Sequence, residues 1–136
     1  QKNNLVNYIK QNNLEKIIKI SKYQKNPYKY INQSNLFVLP SRYEGSPNIL
    51  LETAALKKLI ISSNCRTGPR KLLSNGKGGY LFKVGDYKKL SKILDNVRLK
   101  SKLVNKKIDY SFNSAKKYNV SRQKIELLSV LKKFEN

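Results

Sequence analysis

Apolar residues run along this chain in short blocks, separated by polar clusters rich in Asn, Gly, Ser and Pro. Leu5, Tyr8 and Ile9 recur at helical spacing and Asn12-Asn13 end the pattern, which predicts a helix over residues 3–13. Ile17-Ile18-Lys19-Ile20 reads as a short strand. Asn26-Pro27 opens a short helix with Tyr28 and Ile31 on one face. Leu36-Phe37-Val38-Leu39 is a continuous apolar run of strand length, stopped by Pro40. Residues 41–46 read as a loop. Ser46 is a good N-cap and Pro47 suits a first helical position, so a helix is expected from Pro47 to about Leu56. Leu59-Ile60-Ile61 is the next buried strand. After a loop from Cys65 to Gly68, Pro69 starts a short helix through Leu73. Residues 75–79 form a Gly-rich turn. Tyr80-Leu81-Phe82 is a strand, and Gly85-Asp86 cap a helix to about Val97. Ser101 to Tyr118 and Ser121 to Phe134 read as two further helices, the last with Ile125, Leu128 and Leu131 on one face.

Helices alternate with strands, and the strands are apolar throughout. This pattern predicts an α/β fold with a parallel sheet covered on both faces. Ligands of such sheets bind at the carboxyl ends of the strands, beside helix N-termini. Two loops meet that description, 40–46 and 62–68.

Composition narrows the function. The chain is long enough for one core and too short for two. No apolar stretch approaches the ~20 residues that span a bilayer. The N-terminus lacks a signal-peptide core and does not start with Met, so the chain is expected to begin inside a longer protein. One Cys, at position 65, excludes an internal disulfide and fits a reducing, cytoplasmic setting. The absence of His excludes a histidine general base and makes a zinc, haem or iron–sulfur site unexpected. Twenty-nine Lys and Arg against eight acids give a formal charge of +21. That charge fits either a polyanionic partner or solvated faces rich in lysine. No nucleic-acid motif accompanies it, so specific nucleic-acid binding is not expected. Of the two polyanion readings, a weak attraction to an anionic membrane surface ranks first, beside the reading of solvated lysine-rich faces.

Two of the eight acids, Glu44 and Glu52, flank one strand–loop–helix junction. Glu52 lies in Ile49-Leu50-Leu51-Glu52-Thr53-Ala54-Ala55-Leu56, a helix apolar on most sides. A carboxylate there needs donors. The hydroxyl pair of a ribose would serve, and so would a backbone N–H or a nearby Lys. Gly45 permits close backbone approach. The first amides of the helix favour an anion such as a diphosphate. Pro47 has no N–H, which makes Asn48 and Ile49 the expected donors.

The segment Ser41-Arg42-Tyr43-Glu44-Gly45-Ser46-Pro47-Asn48-Ile49-Leu50-Leu51-Glu52 resembles the E-x7-E signature of family 4 (group 1) glycosyltransferases. These are retaining enzymes with two Rossmann-like domains, the GT-B fold. The segments at 23–28, 36–41, 65–69 and 75–86 resemble the family in order and spacing. The resemblance implies an incomplete Rossmann-like domain over residues 1–100, with about four parallel strands, and C-terminal helices over 101–136. It implies a nucleotide-sugar donor of UDP or GDP type and transfer with retention, in cell-surface polysaccharide or lipopolysaccharide assembly. Glu44 would contact the transferred sugar. Gly45, Ser46, Pro47, Asn48 and Ile49 would approach the sugar and diphosphate, and Glu52 would bind the ribose. No metal is expected in the site.

The sequence also departs from the family. Nothing in residues 1–15 matches the two strands whose Arg and Lys clamp the diphosphate. The acceptor-binding N-terminal domain is expected in a longer chain or a separately encoded half. Lys22 and Lys57-Lys58 replace common glycines, and Lys71 stands where an acid is common. A non-catalytic remnant of such an enzyme is therefore the alternative, and a basic nucleic-acid or membrane-binding module ranks last. The expected location is cytoplasmic, with a peripheral seat on the cytoplasmic face of the inner membrane as a further option.

Overall fold

Pairing, more than apolar content, decides which runs become strands. The computed structural model describes residues 2–66 and 68–118. Helix α1 (Lys2–Gln11) and helix α2 (Tyr28–Gln33) lead into strand β1 (Leu36–Leu39). Helix α3 (Asn48–Ala55), strand β2 (Leu59–Ser63), the short helix α4 (Pro69–Leu72) and strand β3 (Tyr80–Phe82) follow. Helices α5 (Tyr87–Asn96) and α6 (Lys102–Ala115) complete the described fold. Single 3-10 turns follow α4 and α6. The helix expected at 121–134 lies outside the described residues.

The sheet has the order β1-β2-β3, all parallel, with Leu36 opposite Leu59 and Ile61 opposite Tyr80. Among the described residues it has three strands, where about four were expected. Residues 17–20 do not join it. The Ile17 and Ile18 amides both donate to the Leu14 carbonyl, at 2.9 and 2.8 Å, so this run begins in a turn. Ile17 remains 79% exposed. A β-branched run becomes a strand only where a neighbour takes its ladder bonds and covers one face. Ile18 and Ile20 instead border a small apolar hollow with Val6 and Ile9 of α1.

The central strand is buried along its whole length. Leu50 and Ala54 of α3, Ile60 of β2, and Leu72 and Leu73 around the end of α4 make the core cluster. Helix α6 packs on both α3 and β2. Lys107 of α6 ties the Gly-rich turn down, because its Nζ donates to the Gly76 and Gly79 carbonyls and lies 4.7 Å from the Tyr80 ring. Burial holds this ammonium below the usual lysine range.

The helix caps follow the sequence with one exception. Asp86 caps α5 by accepting from the Lys89 amide at 2.9 Å, and Ser101 caps α6 by accepting from the Val104 amide. Helix α3 starts one residue later than expected. Pro47 has φ −78° and ψ 75°, and the Asn48 amide donates to the Ser46 carbonyl at 2.8 Å. That is an inverse γ-turn, so Pro47 occupies the cap position and Asn48 the first helical one.

The other end of α3 closes with paired bonds. The Lys58 amide donates to the Thr53 carbonyl and the Lys57 amide to the Ala54 carbonyl. This places Lys57 at φ 53°, the left-handed site that glycine normally fills. The conformation costs about 1 kcal/mol for a residue with a side chain. The Lys57 ammonium lies 4.6 Å from the Phe112 ring, which offsets about half of that. Lys57→Gly is expected to raise the unfolding free energy by about 0.5 kcal/mol in urea titration. A fall in stability would show that the ring contact outweighs the backbone strain.

Candidate functional site

The site forms where the loops after β1 and β2 meet. Buried hydroxyls at the end of β2 hold the first loop in place. The Ser63 hydroxyl donates to the Ser41 carbonyl, and the Ser62 hydroxyl lies 3.4 Å from the Leu39 carbonyl. Both serines are fully buried. Ser63→Ala would leave the Ser41 carbonyl without this donor and is expected to cost about 1–3 kcal/mol. Thermal unfolding checks it, and a loss below about 0.5 kcal/mol would show that the loop is held elsewhere.

The two loops also touch through backbone. Gly68 has φ 92°, and a Cβ added to it would lie 2.3 Å from Pro47 Cδ and 2.7 Å from Cγ. Pro47 is itself buried. Glycine is therefore required at 68 on both counts, backbone conformation and space. This contact accounts for the displaced start of α3, because the buried Pro47 ring is seated against the second loop.

Gly45 differs. Its φ lies outside the left-handed range, and an added Cβ would meet nothing within 4 Å. The protein's own packing does not require glycine there. Gly45 also borders a hollow of about 320 Å³, together with Ser46, Pro47, Asn48, Gly68 and Lys71. Leu51 and Tyr118 border this hollow and also a second one, of about 290 Å³, which contains Glu52, Phe112 and Lys116. The structure thus places residues 45–48 and Glu52 in two adjoining hollows that share Leu51 and Tyr118. Glu44 is half-buried one residue before the lining begins. Ile49 is partly buried and packs its side chain against the core cluster. The expected pair of amide donors narrows. The Asn48 N–H is used by the γ-turn, and the Ile49 N–H is the first that the turn does not consume.

Glu52 has a neighbour that sequence reasoning did not assign to the site. Its negative charge is the main cause that raises the Tyr28 phenol above the ordinary tyrosine value, followed by desolvation and by the hydrogen bond between the two side chains. A carboxylate has about four lone-pair positions, so one tyrosine donor leaves room for a diol. Tyr28 was visible only as one face of α2. Sequence reasoning also missed the cations beside the groove. Arg66, Arg70 and Lys71 line a third hollow of about 730 Å³ together with Gly68, Ser74 and Asn75. Nothing in their spacing announces this, because the turn at Gly68 gathers them. Among the described residues no group of three or more His, Cys, Asp and Glu is placed to hold a metal ion. No helix among them is long and apolar enough to cross a membrane.

A three-stranded parallel sheet with its groove at the strand ends is the architecture of a Rossmann-like half of a GT-B glycosyltransferase. The chain belongs to the family described as glycosyl transferases group 1, whose pattern matches residues 1–114. It is 42% identical over 72 residues, 53% of its length, to an uncharacterized glycosyltransferase of Methanocaldococcus jannaschii, where it covers 18%. It is 28% identical over 109 residues, 77% of its length, to a Campylobacter jejuni enzyme, covering 30% of that chain. That enzyme is N-acetylgalactosamine-N,N'-diacetylbacillosaminyl-diphospho-undecaprenol 4-alpha-N-acetylgalactosaminyltransferase. Among solved structures, a mutant of Staphylococcus aureus TarM, in complex with fondaparinux, alpha-GlcNAc-glycerol and UDP, superposes with a TM-score of 0.80 at 22% identity. The superposition covers 94% of this chain and 26% of that one. The chain thus spans less than a third of these relatives.

Proposed function

We propose that this chain is the donor-binding half of a retaining glycosyltransferase. It would move a sugar from a nucleoside-diphosphate sugar to an acceptor in cell-surface polysaccharide or lipopolysaccharide assembly. The observation that carries this reading is the pair of adjoining hollows that run from Gly45 to Glu52, with open space at Gly45. In it, Glu44 contacts the transferred sugar. The backbone of residues 45–49 approaches the sugar and diphosphate, with the Ile49 amide as the leading donor. Glu52, oriented by Tyr28, accepts hydrogen bonds from the ribose diol.

Cationic side chains and oriented amides, not a metal, would stabilise the leaving diphosphate. A carboxylate-poor groove favours this division. The acceptor-binding half comes from a longer chain or a separate one. From the Campylobacter relative we carry over one class of acceptor, a sugar linked through phosphate to a lipid. The positive charge of the chain suits work at the cytoplasmic face of a membrane, where each nearby cation contributes about 1 kcal/mol. A non-catalytic remnant is favoured by one observation, the strained Lys57 cap.

The test joins the chain to an acceptor-binding half and screens UDP- and GDP-sugars, with the product anomer read by NMR. Transfer with retention is expected. Inversion contradicts the mechanism, and no transfer from any donor favours the remnant.

A further inference from the structure

The three hollows stand in a fixed order. The Glu52 hollow shares Leu51 and Tyr118 with the Gly45–Asn48 hollow. The latter shares Gly68 and Lys71 with the hollow of Arg66 and Arg70. Glu52 therefore lies at one end beside Lys116, the glycine loop in the middle, and Arg66 and Arg70 at the other, with Lys71 shared between the last two. Among the described residues, no Asp or Glu lines the cationic end.

This end differs from the chain's general excess of lysine. The chain has 24 Lys and only five Arg, at positions 42, 66, 70, 98 and 122. Of the four among the described residues, two line this one hollow. Drift towards lysine does not place arginine there, and Arg is the side chain whose planar fork matches phosphate oxygens. Arg70 is also held in place, because its Nε donates to Asn75 Oδ1 at 2.7 Å. That bond uses Nε and orients the Nη groups of the fork. Ser74 adds a hydroxyl to the lining. Like charges gathered around one hollow repel one another, and an anion between them relieves the repulsion.

We propose that Arg66, Arg70 and Lys71 form a subsite for a phosphate group carried by the acceptor, at the end of the groove opposite Glu52. The assignment rests on the donor reading above. With the ribose at Glu52 and the sugar against Gly45, the donor's own diphosphate falls between them. The cationic end then lies beyond the transferred sugar, on the side from which an acceptor must come. A phosphate-linked acceptor placed there would have its charge held while its hydroxyl meets the sugar.

The shared chemistry, a phosphate, has two sources, the acceptor and the donor's own diphosphate. Titration of the 136-residue chain with inorganic pyrophosphate, with and without saturating UDP, separates them. NMR amide shifts at about 0.15 M salt limit nonspecific attraction. Pyrophosphate is expected to bind while UDP is bound. Arg66→Gln/Lys71→Gln, which leaves the Arg70–Asn75 bond in place, is expected to weaken it about tenfold or more. Lys88→Gln/Lys92→Gln removes the same charge from α5 and is expected to change it less than about twofold. Equal losses in the two double variants would overturn the subsite, since only net charge would then matter. Displacement of pyrophosphate by UDP would give the cations to the donor and overturn the acceptor assignment. Pyrophosphate binding at Arg66 and Lys71 with no UDP binding at all would sink the donor reading instead and, with it, the link to an acceptor. An unchanged amide spectrum away from the groove confirms that the variants fold.

Discussion

Gly68→Ala is expected to destabilise the chain by about 3 kcal/mol and to weaken nucleotide binding in the population that still folds. Two costs add. A residue with a side chain at φ 92° and ψ −73° is strained by about 1–3 kcal/mol. The new Cβ would also sit 2.3 Å from the buried Pro47 ring, and such overpacking costs about 1–3 kcal/mol more. Relief requires the Pro47 turn to move, which shifts the start of α3 and every group from Gly45 to Ile49. Gly76→Ala is the control. Its φ is 94°, but nothing lies within 4 Å of the added atom, so only the backbone cost applies. Urea unfolding of the two variants checks the difference. Equal losses would show that the contact between the two loops carries no energy.

The second large effect concerns chemistry. With an acceptor-binding half present, Glu44→Gln is expected to lower kcat by about 10²–10³-fold, in the range seen when one transition-state contact is removed. The change keeps size and hydrogen-bonding shape but removes the charge beside the sugar. Initial rates at saturating donor read it directly. A loss below about tenfold would move Glu44 out of the reacting centre. The chain alone is expected to give no transfer, because acceleration needs a placed acceptor as well as a held donor.

Much of this was legible in the sequence, for identifiable reasons. Strands β1, β2 and β3 announced themselves as apolar runs bounded by Pro, Asn or Gly, and each is paired in the structure. The caps at Asp86 and Ser101 are local, so the sequence around them suffices. Residues 17–20 carried the same apolar signal and misled, because a strand needs a partner that no local pattern can supply. The start of α3 was off by one residue for a tertiary reason: Pro47 is positioned by Gly68, from the loop after the next strand. The E-x7-E spacing drew attention to residues 44–52, several of which border two of the hollows, but not to the rest of their lining. That Tyr28 stands beside Glu52, and that Arg66, Arg70 and Lys71 border a third hollow, follows from how α2 and the loop after β2 return to the site.

The cationic end bears on the departure noted in the sequence. No diphosphate clamp is expected in residues 1–15 from the sequence, and the structure places Arg66, Arg70 and Lys71 around the hollow beside Gly68. Whether those cations serve the acceptor or the donor is what the pyrophosphate titration decides. Neither result alters the role assigned to Glu52, which depends on the ribose alone.

Calorimetry tests that role directly. UDP and 2′-deoxy-UDP are titrated into the chain and into Glu52→Gln at about 0.15 M salt. Glu52→Gln is expected to weaken UDP about tenfold or more, the worth of charge-assisted hydrogen bonds, and to weaken 2′-deoxy-UDP much less. Indistinguishable affinities of the two proteins for UDP would contradict the ribose assignment and remove the donor from this groove.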